Sequence, residues 1–162
     1  MDERLKNLWP LIQAAAAKYD LDPFLVGAMV LTESGGDPWA ARYEPAWRGI
    51  VQTKGLKPST CSDETEQRLQ MTSFGLMQVM GAVAREHKFQ GWLTRVCDPE
   101  AGLDLGCRHL RQKIDRFGSI DAGIAAYNQG NDRRGPDGRF ANQPYVDKVK
   151  GRMQALKSEV QG

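Results

Sequence analysis

Glu33 is the side chain in this sequence whose type and setting best suit proton transfer. It follows an apolar run, residues 23–32, and precedes Gly35-Gly36. Met29, Val30 and Glu33 recur at helical spacing, so we expect the carboxyl group to lie on the buried face of a helix. Loss of hydration and the negative end of the helix dipole would both favour its protonated form, a general acid. The alternative is a solvated glutamate at a fraying helix end.

Two later segments end apolar runs with polar groups. Gln78 follows Gly75-Leu76-Met77, and Tyr127-Asn128 follows Ala125-Ala126. Such groups can orient a polar ligand or hold a carboxyl group in place, and a glycine at position 75 would let the backbone approach a ligand closely. Taken singly, Tyr127 also suits a core position and Asn128 the end of a helix.

The elements that must position these residues are predicted to be helices, and the class is mainly α. An apolar stripe runs from Leu5 to Tyr19, with Pro10 either starting the regular part or kinking it. Asp22-Pro23 supplies an N-cap and a first-turn proline to the helix that ends at Glu33. Another helix is predicted from Leu76 to about His87.

The second half of the chain repeats these signals. Asp98-Pro99 is a second cap with a proline, and its helix should stop at Gly118. A short, buried helix is predicted over 119–127, and the stripe Tyr145, Val149, Met153, Leu156 and Val160 marks a terminal amphipathic helix. No alternating strand of useful length is visible. Residues 37–72 and 129–144 are predicted to be long loops, which are usually functional or disordered; the aromatic residues of the first argue against disorder.

Composition fits one soluble globular domain. The chain has 162 residues, of which 41% are hydrophobic and 26% charged, and its net charge is +2. This charge is too small to indicate a nucleic-acid partner, and the basic residues near the end are interpreted as a solvated face. No segment approaches membrane-spanning length, and Met-Asp-Glu-Arg-Leu-Lys at the start shows no export signal, so we expect synthesis in the cytosol.

The three cysteines are expected to be reduced and partly buried. Cys97 and Cys107 would lie about 15 Å apart along one helix, too far for a disulfide, whereas Cys61 could pair with either. A metal site that adds His109 lacks a Cys-x-x-Cys pair, so no metal is predicted.

Three motifs occur in a fixed order: Glu33-Ser34-Gly35-Gly36, Ser73-Phe74-Gly75-Leu76-Met77-Gln78 and Ala125-Ala126-Tyr127-Asn128-Gln129-Gly130. With Asp98-Pro99 and Gly106-x-x-x-Leu110 in place, this order resembles the soluble lytic transglycosylase family of peptidoglycan-cleaving enzymes, which shares its fold with goose-type lysozymes. The resemblance runs from about Leu21 to Val149. It implies a mainly α, single-domain, lysozyme-like helical fold over residues 1–162, with a core at about 21–150 and a long loop after the catalytic helix.

The resemblance implies that Glu33 acts twice on peptidoglycan glycan strands. It would protonate the oxygen between N-acetylmuramic acid and N-acetylglucosamine, and then take the proton of the muramic acid C6 hydroxyl as a 1,6-anhydro ring closes. No cofactor is implied, and we expect a monomer. The residues expected to bind substrate or support the acid are Ser34, Gly75, Met77, which would line the cleft, Gln78, Tyr127, Asn128 and Glu44.

The sequence departs from the family in two places. The stretch between Glu33 and Gly75 is unusually long, and the acidic residue that many members carry before the last tyrosine is absent from 140–145. Glu44 is the candidate for a second acid at the cleft, with Glu64 and Glu66 as weaker ones. Alternatively, Glu44 pairs with a nearby arginine, at position 42 or 48, and braces the loop.

Two other functions remain open at this point. A second carboxylate that activates water would make the protein a hydrolytic muramidase. A catalytically silent glycan-binding module is the alternative outside enzymes, although it would have little reason to bury an acid. A compact chain without an export signal or a wall-anchoring module suits a phage product, such as an endolysin or a tail-delivered enzyme acting at the bacterial cell wall.

Overall fold

The computed structural model describes residues 3–52 and 55–161, the last two of these by their backbone only. In chain order the elements are α1 (Glu3–Lys18), α2 (Pro23–Glu33), β1 (Ala41–Tyr43), α3 (Asp63–Gln70), β2 (Thr72–Phe74), β3 (Val79–Met80), α4 (Gly81–Glu86), a 3-10 helix (Leu93–Cys97), α5 (Pro99–Phe117), α6 (Ile120–Gln129) and α7 (Gln143–Gln161). Helices predominate, so the predicted mainly α, lysozyme-like class is confirmed.

The chain divides into two compact units. The first comprises Met1–Thr32 and Cys107–Gly162, and the second comprises Glu33–Gly106. The single domain predicted over residues 1–162 stays a prediction.

Aspartate caps and first-turn prolines start α2 and α5. The Asp22 carboxylate accepts a hydrogen bond from the Phe24 N–H at 2.8 Å, and that of Asp98 accepts one from the Ala101 N–H at 3.0 Å. A proline suits this position because the N–H it lacks would be unpaired in a first turn. Gly118, with φ 79°, follows the last residue of α5. Both predicted starts and the predicted stop are confirmed.

The core of the first unit includes residues 25–30 of α2 and 122–126 of α6, which are all buried. Pro10 lies inside α1, which begins well before it at Glu3, so this proline does not start the helix. Val149 and Leu156 are buried as the predicted terminal stripe requires, whereas the side chain of Val160 lies outside the described part of the chain. The buried apolar residues here include Leu5, Ile12, Leu25, Met29, Leu110, Ile124, Val146, Val149 and Leu156.

A small antiparallel sheet in order β1-β2-β3 belongs to the second unit. Ala41 pairs with Phe74 and Tyr43 with Thr72, while Ser73 pairs with Met80. Two or three residues per strand are too few to show the alternation that identifies a strand in a sequence. The sheet was therefore missed by the sequence analysis.

Two predicted boundaries are wrong. The helix expected from Leu76 begins only at Gly81, because Gly75 and Gln78 have φ values of 75° and 46°, which no right-handed helix admits. The stretch 37–72 is not a continuous loop, since it contains β1 and α3. Most residues of α3 are polar, so the helix lacks an apolar stripe, and its start is marked by the Ser62 hydroxyl, which accepts a hydrogen bond from the Thr65 N–H at 3.1 Å.

All three cysteines lie in the described ranges, and none forms a disulfide. Cys61, Cys97 and Cys107 are all buried, which is more burial than the sequence predicted. In residues 3–52 and 55–161, no helix combines the length and apolar character needed to cross a membrane.

Candidate active site

Glu33 is the last residue of a helix whose preceding turns are buried. Residues 25–30 of α2 are all buried, whereas Glu33 itself keeps part of its surface exposed. The prediction that the Glu33 carboxyl group lies on the buried face of the helix is therefore only partly correct. After Glu33 the backbone turns through Gly35 and Gly36, whose φ values of 65° and 83° lie in the left-handed region that glycine favours.

The Ser34 hydroxyl connects the turn after Glu33 to a distant part of the chain within the second unit. It donates a hydrogen bond to the Leu76 carbonyl oxygen at 2.9 Å and accepts one from the Gly36 N–H at 3.2 Å. Ser34 thus holds two stretches of backbone together. Its immediate effect is to fix the position from which Glu33 projects.

The Gln78 carboxamide is engaged by hydrogen bonds within the same unit. Its Nε2 group donates to the carbonyl oxygens of Ala40 and Gly75, both at 3.0 Å, and its Oε1 accepts from the Ser73 hydroxyl at 3.0 Å. Both donor protons of the amide are therefore used. Gln78 shapes the turn at 75–78 instead of presenting a free amide. Ser73 lies in the second motif, but its residue type alone does not predict this role.

The close approach predicted at Gly75 is made to another part of the protein. A Cβ at this position would lie 2.5 Å from the Val96 carbonyl oxygen, and the φ of 75° would strain any other residue. Gly75 therefore serves packing against the 3-10 helix. Met77 is completely buried and its side chain fills the space beside Gly106, so the expectation that Met77 lines a cleft needs correction.

Glu44 is paired with Arg42, the arrangement that the bracing alternative predicted. The guanidinium of Arg42 donates to the Glu44 carboxylate, whose side chain is 34% exposed. The Glu44 N–H also donates to the Met71 carbonyl oxygen at 2.7 Å. Arg48 binds backbone carbonyls of the loop instead. As a base, Glu44 would first have to release its arginine.

Glu66, a weaker candidate for the second acid, belongs to a buried ion pair. Arg85 is fully buried, and its Nε and Nη2 groups donate to the two Glu66 carboxylate oxygens at 2.8 and 3.0 Å. Gln70 donates to the same carboxylate at 3.1 Å. A carboxylate so occupied is structural. Glu64 is exposed in the first turn of α3.

Tyr127 and Asn128 lie near the end of α6 in the first unit. The Tyr127 ring meets the His109 ring edge-on at 5.3 Å, and Tyr127 is half-buried. Asn128 is exposed, and its Oδ1 accepts from the Asn142 Nδ2 at 2.9 Å. Asn142 also donates to the Ala125 carbonyl oxygen at 3.0 Å.

Asn142 occupies the stretch in which the family's acidic residue is missing. The sequence does not predict this role, because an asparagine in a turn-rich segment carries no distinctive signal.

The end of α6 is set by a glycine. Gly130, with φ 87°, donates its N–H to the Ala126 carbonyl oxygen at 2.8 Å.

Among the described residues, no three His, Cys, Asp or Glu side chains are grouped so that they could hold a metal ion. The Cys97 thiol, in the second unit, has a shifted pKa, and burial is the main cause. Burial raises the pKa of Cys97, a hydrogen bond with the Gly75 backbone partly lowers it, and the charge of Asp37 raises it further. The thiol form is thus favoured at neutral pH.

Comparisons with known proteins agree with the motif order. A family model described as a transglycosylase SLT domain matches residues 10–144. A protein named transglycosylase, from Enterobacteria phage PRD1, is 30% identical over 125 residues, which make up 77% of this chain and 36% of that protein. The chain thus spans about a third of the length of the curated relative it matches.

Proposed function

This chain belongs to the transglycosylase SLT family, and on that premise we propose that it cleaves peptidoglycan between N-acetylmuramic acid and N-acetylglucosamine. Glu33 is the catalytic residue. The reaction is a lytic transglycosylation, and its product carries a 1,6-anhydro-muramic acid end. We further propose that the enzyme acts at a bacterial cell wall and is a phage product.

Glu33 acts first as an acid and then as a base. It gives its proton to the glycosidic oxygen as the bond from that oxygen to C1 of the muramic acid breaks. The carboxylate then takes the proton of the C6 hydroxyl of the same sugar, and O6 bonds to C1. The proton is back on Glu33 at the end, so no water is consumed and no second carboxylate is required.

The main support for this proposal is that hydrogen bonds hold the turn after Glu33 against the turn at residues 75–78. The Ser34 hydroxyl reaches the Leu76 carbonyl oxygen, and Gln78 reaches the Ala40 carbonyl oxygen, so the chain is held on both sides of the turn that follows Glu33. A general acid works only where its position relative to the leaving oxygen is fixed. The partial exposure of Glu33 leaves it open to substrate.

Tyr127 and Asn128 are proposed as substrate-binding residues because they match the third family motif. The exposed Asn128 uses its Oδ1 oxygen on Asn142. Its Nδ2 group is then oriented by that contact, and an amide donor suits the hydroxyl and N-acetyl oxygens of a sugar.

The test is a mass spectrum of the soluble products from purified peptidoglycan, with Glu33→Gln beside the wild type. The matched control is Glu86→Gln, since Glu86 is exposed and also ends a helix. We expect products lighter by one water than reducing muropeptides from the wild type and Glu86→Gln, and none from Glu33→Gln. No soluble product from the wild type on several wall types would instead favour a glycan-binding module.

Hydrolysis by an activated water is the competing outcome, and it would require a second carboxylate, for which Glu44 is the first candidate. Because Glu44 is paired with Arg42, we expect Glu44→Gln to retain more than about half of the wild-type turnover after correction for any change in stability. Reducing muropeptides, together with a large loss of turnover in Glu44→Gln, would establish a muramidase.

A further inference from the structure

Trp39 is exposed far more than any other large apolar side chain in the described ranges. It is 74% exposed, whereas the next, Ile120, is 49% exposed. An indole with so little burial contributes little to the core. Tryptophan is enriched among the residues through which proteins contact other molecules.

The backbone that carries Trp39 is held in place. Its N–H donates to the Asp37 carboxylate at 2.9 Å. The carbonyl oxygen of the next residue, Ala40, accepts from the Gly75 N–H at 2.8 Å and from the Gln78 Nε2 at 3.0 Å. The ring therefore projects from a fixed point.

The segment that carries Trp39, residues 34–40, directly follows Glu33 in the chain. The Asp37 N–H donates to the Ser34 carbonyl oxygen at 3.3 Å, and the Ser34 hydroxyl is bound to Leu76. Residues 34–40 are thus fastened at both ends to the 75–78 turn of the second unit. A ligand held at Trp39 would therefore lie at a fixed position relative to the turn that follows Glu33.

We propose that Trp39 is a sugar-stacking residue that packs its indole against the C–H face of an N-acetylhexosamine ring in the bound glycan strand. The inference rests on the proposed function and adds a binding residue to it. A pyranose presents C–H groups on its faces and polar groups around its rim. A tryptophan offers a large, flat apolar surface and has only two side-chain torsions to immobilise.

The surroundings of Trp39 fit a sugar better than a membrane or a protein partner. The nearby Asp37 and Arg42 are exposed and carry opposite charges. A lipid surface or a protein partner would call for a wider apolar area, whereas an exposed aromatic ring beside charged side chains matches the mixed character of a sugar.

The experiment measures binding to purified peptidoglycan sacculi in a Glu33→Gln background, which keeps the strands intact. We expect Trp39→Ala to raise the Kd about tenfold and Trp39→Phe about threefold. The matched control is Trp92→Ala, which removes another exposed tryptophan, 39% accessible, and should leave the Kd unchanged. All three variants should melt within a few degrees of the parent, roughly 3 °C at most. Equal Kd values for Trp39→Ala and its parent, or no binding by the parent, would overturn the proposal.

A second arm separates this proposal from the proposed function. With Glu33 intact, Trp39→Ala should raise KM about tenfold and change kcat less than about twofold, since stacking is uniform binding. A wild type that releases no anhydro products, with Kd still dependent on Trp39, would refute the transglycosylase and keep the stacking. Binding to phosphatidylglycerol vesicles that depends on Trp39, without such binding to sacculi, would show a lipid contact and overturn the stacking.

Discussion

The polar side chains next to Glu33 act chiefly on the backbone. Ser34 and Gln78 donate to carbonyl oxygens of Leu76, Ala40 and Gly75, so they hold the backbone around the turn that follows Glu33, the proposed acid. A substitution that turns one of these hydrogen-bond donors into an acceptor should therefore lower both stability and activity.

Gln78→Glu tests this bracing role. The change replaces a group that donates to two carbonyl oxygens by a carboxylate oxygen that repels them. We expect the free energy of unfolding in urea to fall by about 2–4 kcal/mol and lytic activity to fall with it. The control, Gln112→Glu on the exposed face of α5, should stay within about 0.5 kcal/mol of the wild type. Equal losses in the two variants would contradict the bracing role.

Cys97 should make stability depend on alkaline pH. Burial, the first cause, raises its pKa in the folded protein, so the unfolded chain loses the proton more readily. The contribution of this thiol to stability is therefore complete below its unfolded pKa of about 8.5, and it is lost as the pH rises through the folded value.

We accordingly expect the free energy of unfolding to fall more steeply from about pH 8 to about pH 10 in the wild type than in Cys97→Ala. Urea denaturation at several pH values gives both slopes. The comparison of slopes is unaffected by the cavity that alanine leaves. Parallel profiles would show that Cys97 titrates alike in the folded and unfolded chains.

At the scale of elements, a buried polar cluster organises the stretch that the sequence analysis took for a long loop. Gln70 of α3 exchanges two hydrogen bonds with the backbone of Val51, at 2.7 and 3.0 Å. Arg85 of α4 donates to the carbonyl oxygens of Leu56 and Gly91, besides its ion pair with Glu66. The cluster thus connects α3, α4 and the irregular backbone.

Arg85→Met should be strongly destabilising. It leaves the Glu66 carboxylate buried without its counter-charge, so we expect a loss of about 3–5 kcal/mol in urea denaturation. Adding Glu66→Leu should restore part of that loss, because the double variant removes the unpaired charge. Arg68→Met, on the exposed side of α3, is the control and should cost less than about 1 kcal/mol. A double variant no more stable than Arg85→Met would show that burial of the carboxylate is not the cause.

At the scale of the whole molecule, the charges nearly cancel and many basic side chains are used locally. Lys150 pairs with Asp121 at 2.7 Å and Lys157 with Asp22 at 2.6 Å. The Arg134 guanidinium lies over an aromatic ring, 3.9 Å from its centre. These contacts agree with the interpretation of the basic residues as a solvated face.

Binding to the wall should therefore depend weakly on salt. Between about 50 and about 300 mM NaCl we expect the Kd of the Glu33→Gln variant for sacculi to change less than about threefold, because screening removes little attraction from a chain with a net charge of +2. A much larger change would point to the basic residues of 133–157. Replacing Arg133 and Lys148, both exposed, by glutamine would then remove part of it.

The sequence by itself determined the features that depend only on neighbouring residues, such as where helices begin and end. Asp22-Pro23 and Asp98-Pro99 start helices and Gly118 ends one through contacts within a few residues, so the positions could be predicted from the letters alone. The order of the three motifs likewise indicated the family, which the family model then established.

Only the tertiary structure decided how the site residues are held. The left-handed turn at Gln78, the burial of Met77 and the pairing of Glu66 with Arg85, 19 positions apart, depend on neighbours that are distant in the chain. Burial and long-range hydrogen bonds set whether a carboxylate is structural or reactive, and neither can be read from residue type. For that reason the sequence identified Glu33 as the candidate acid, whereas only the fold shows that the alternative carboxylates, Glu44 and Glu66, are paired with arginines.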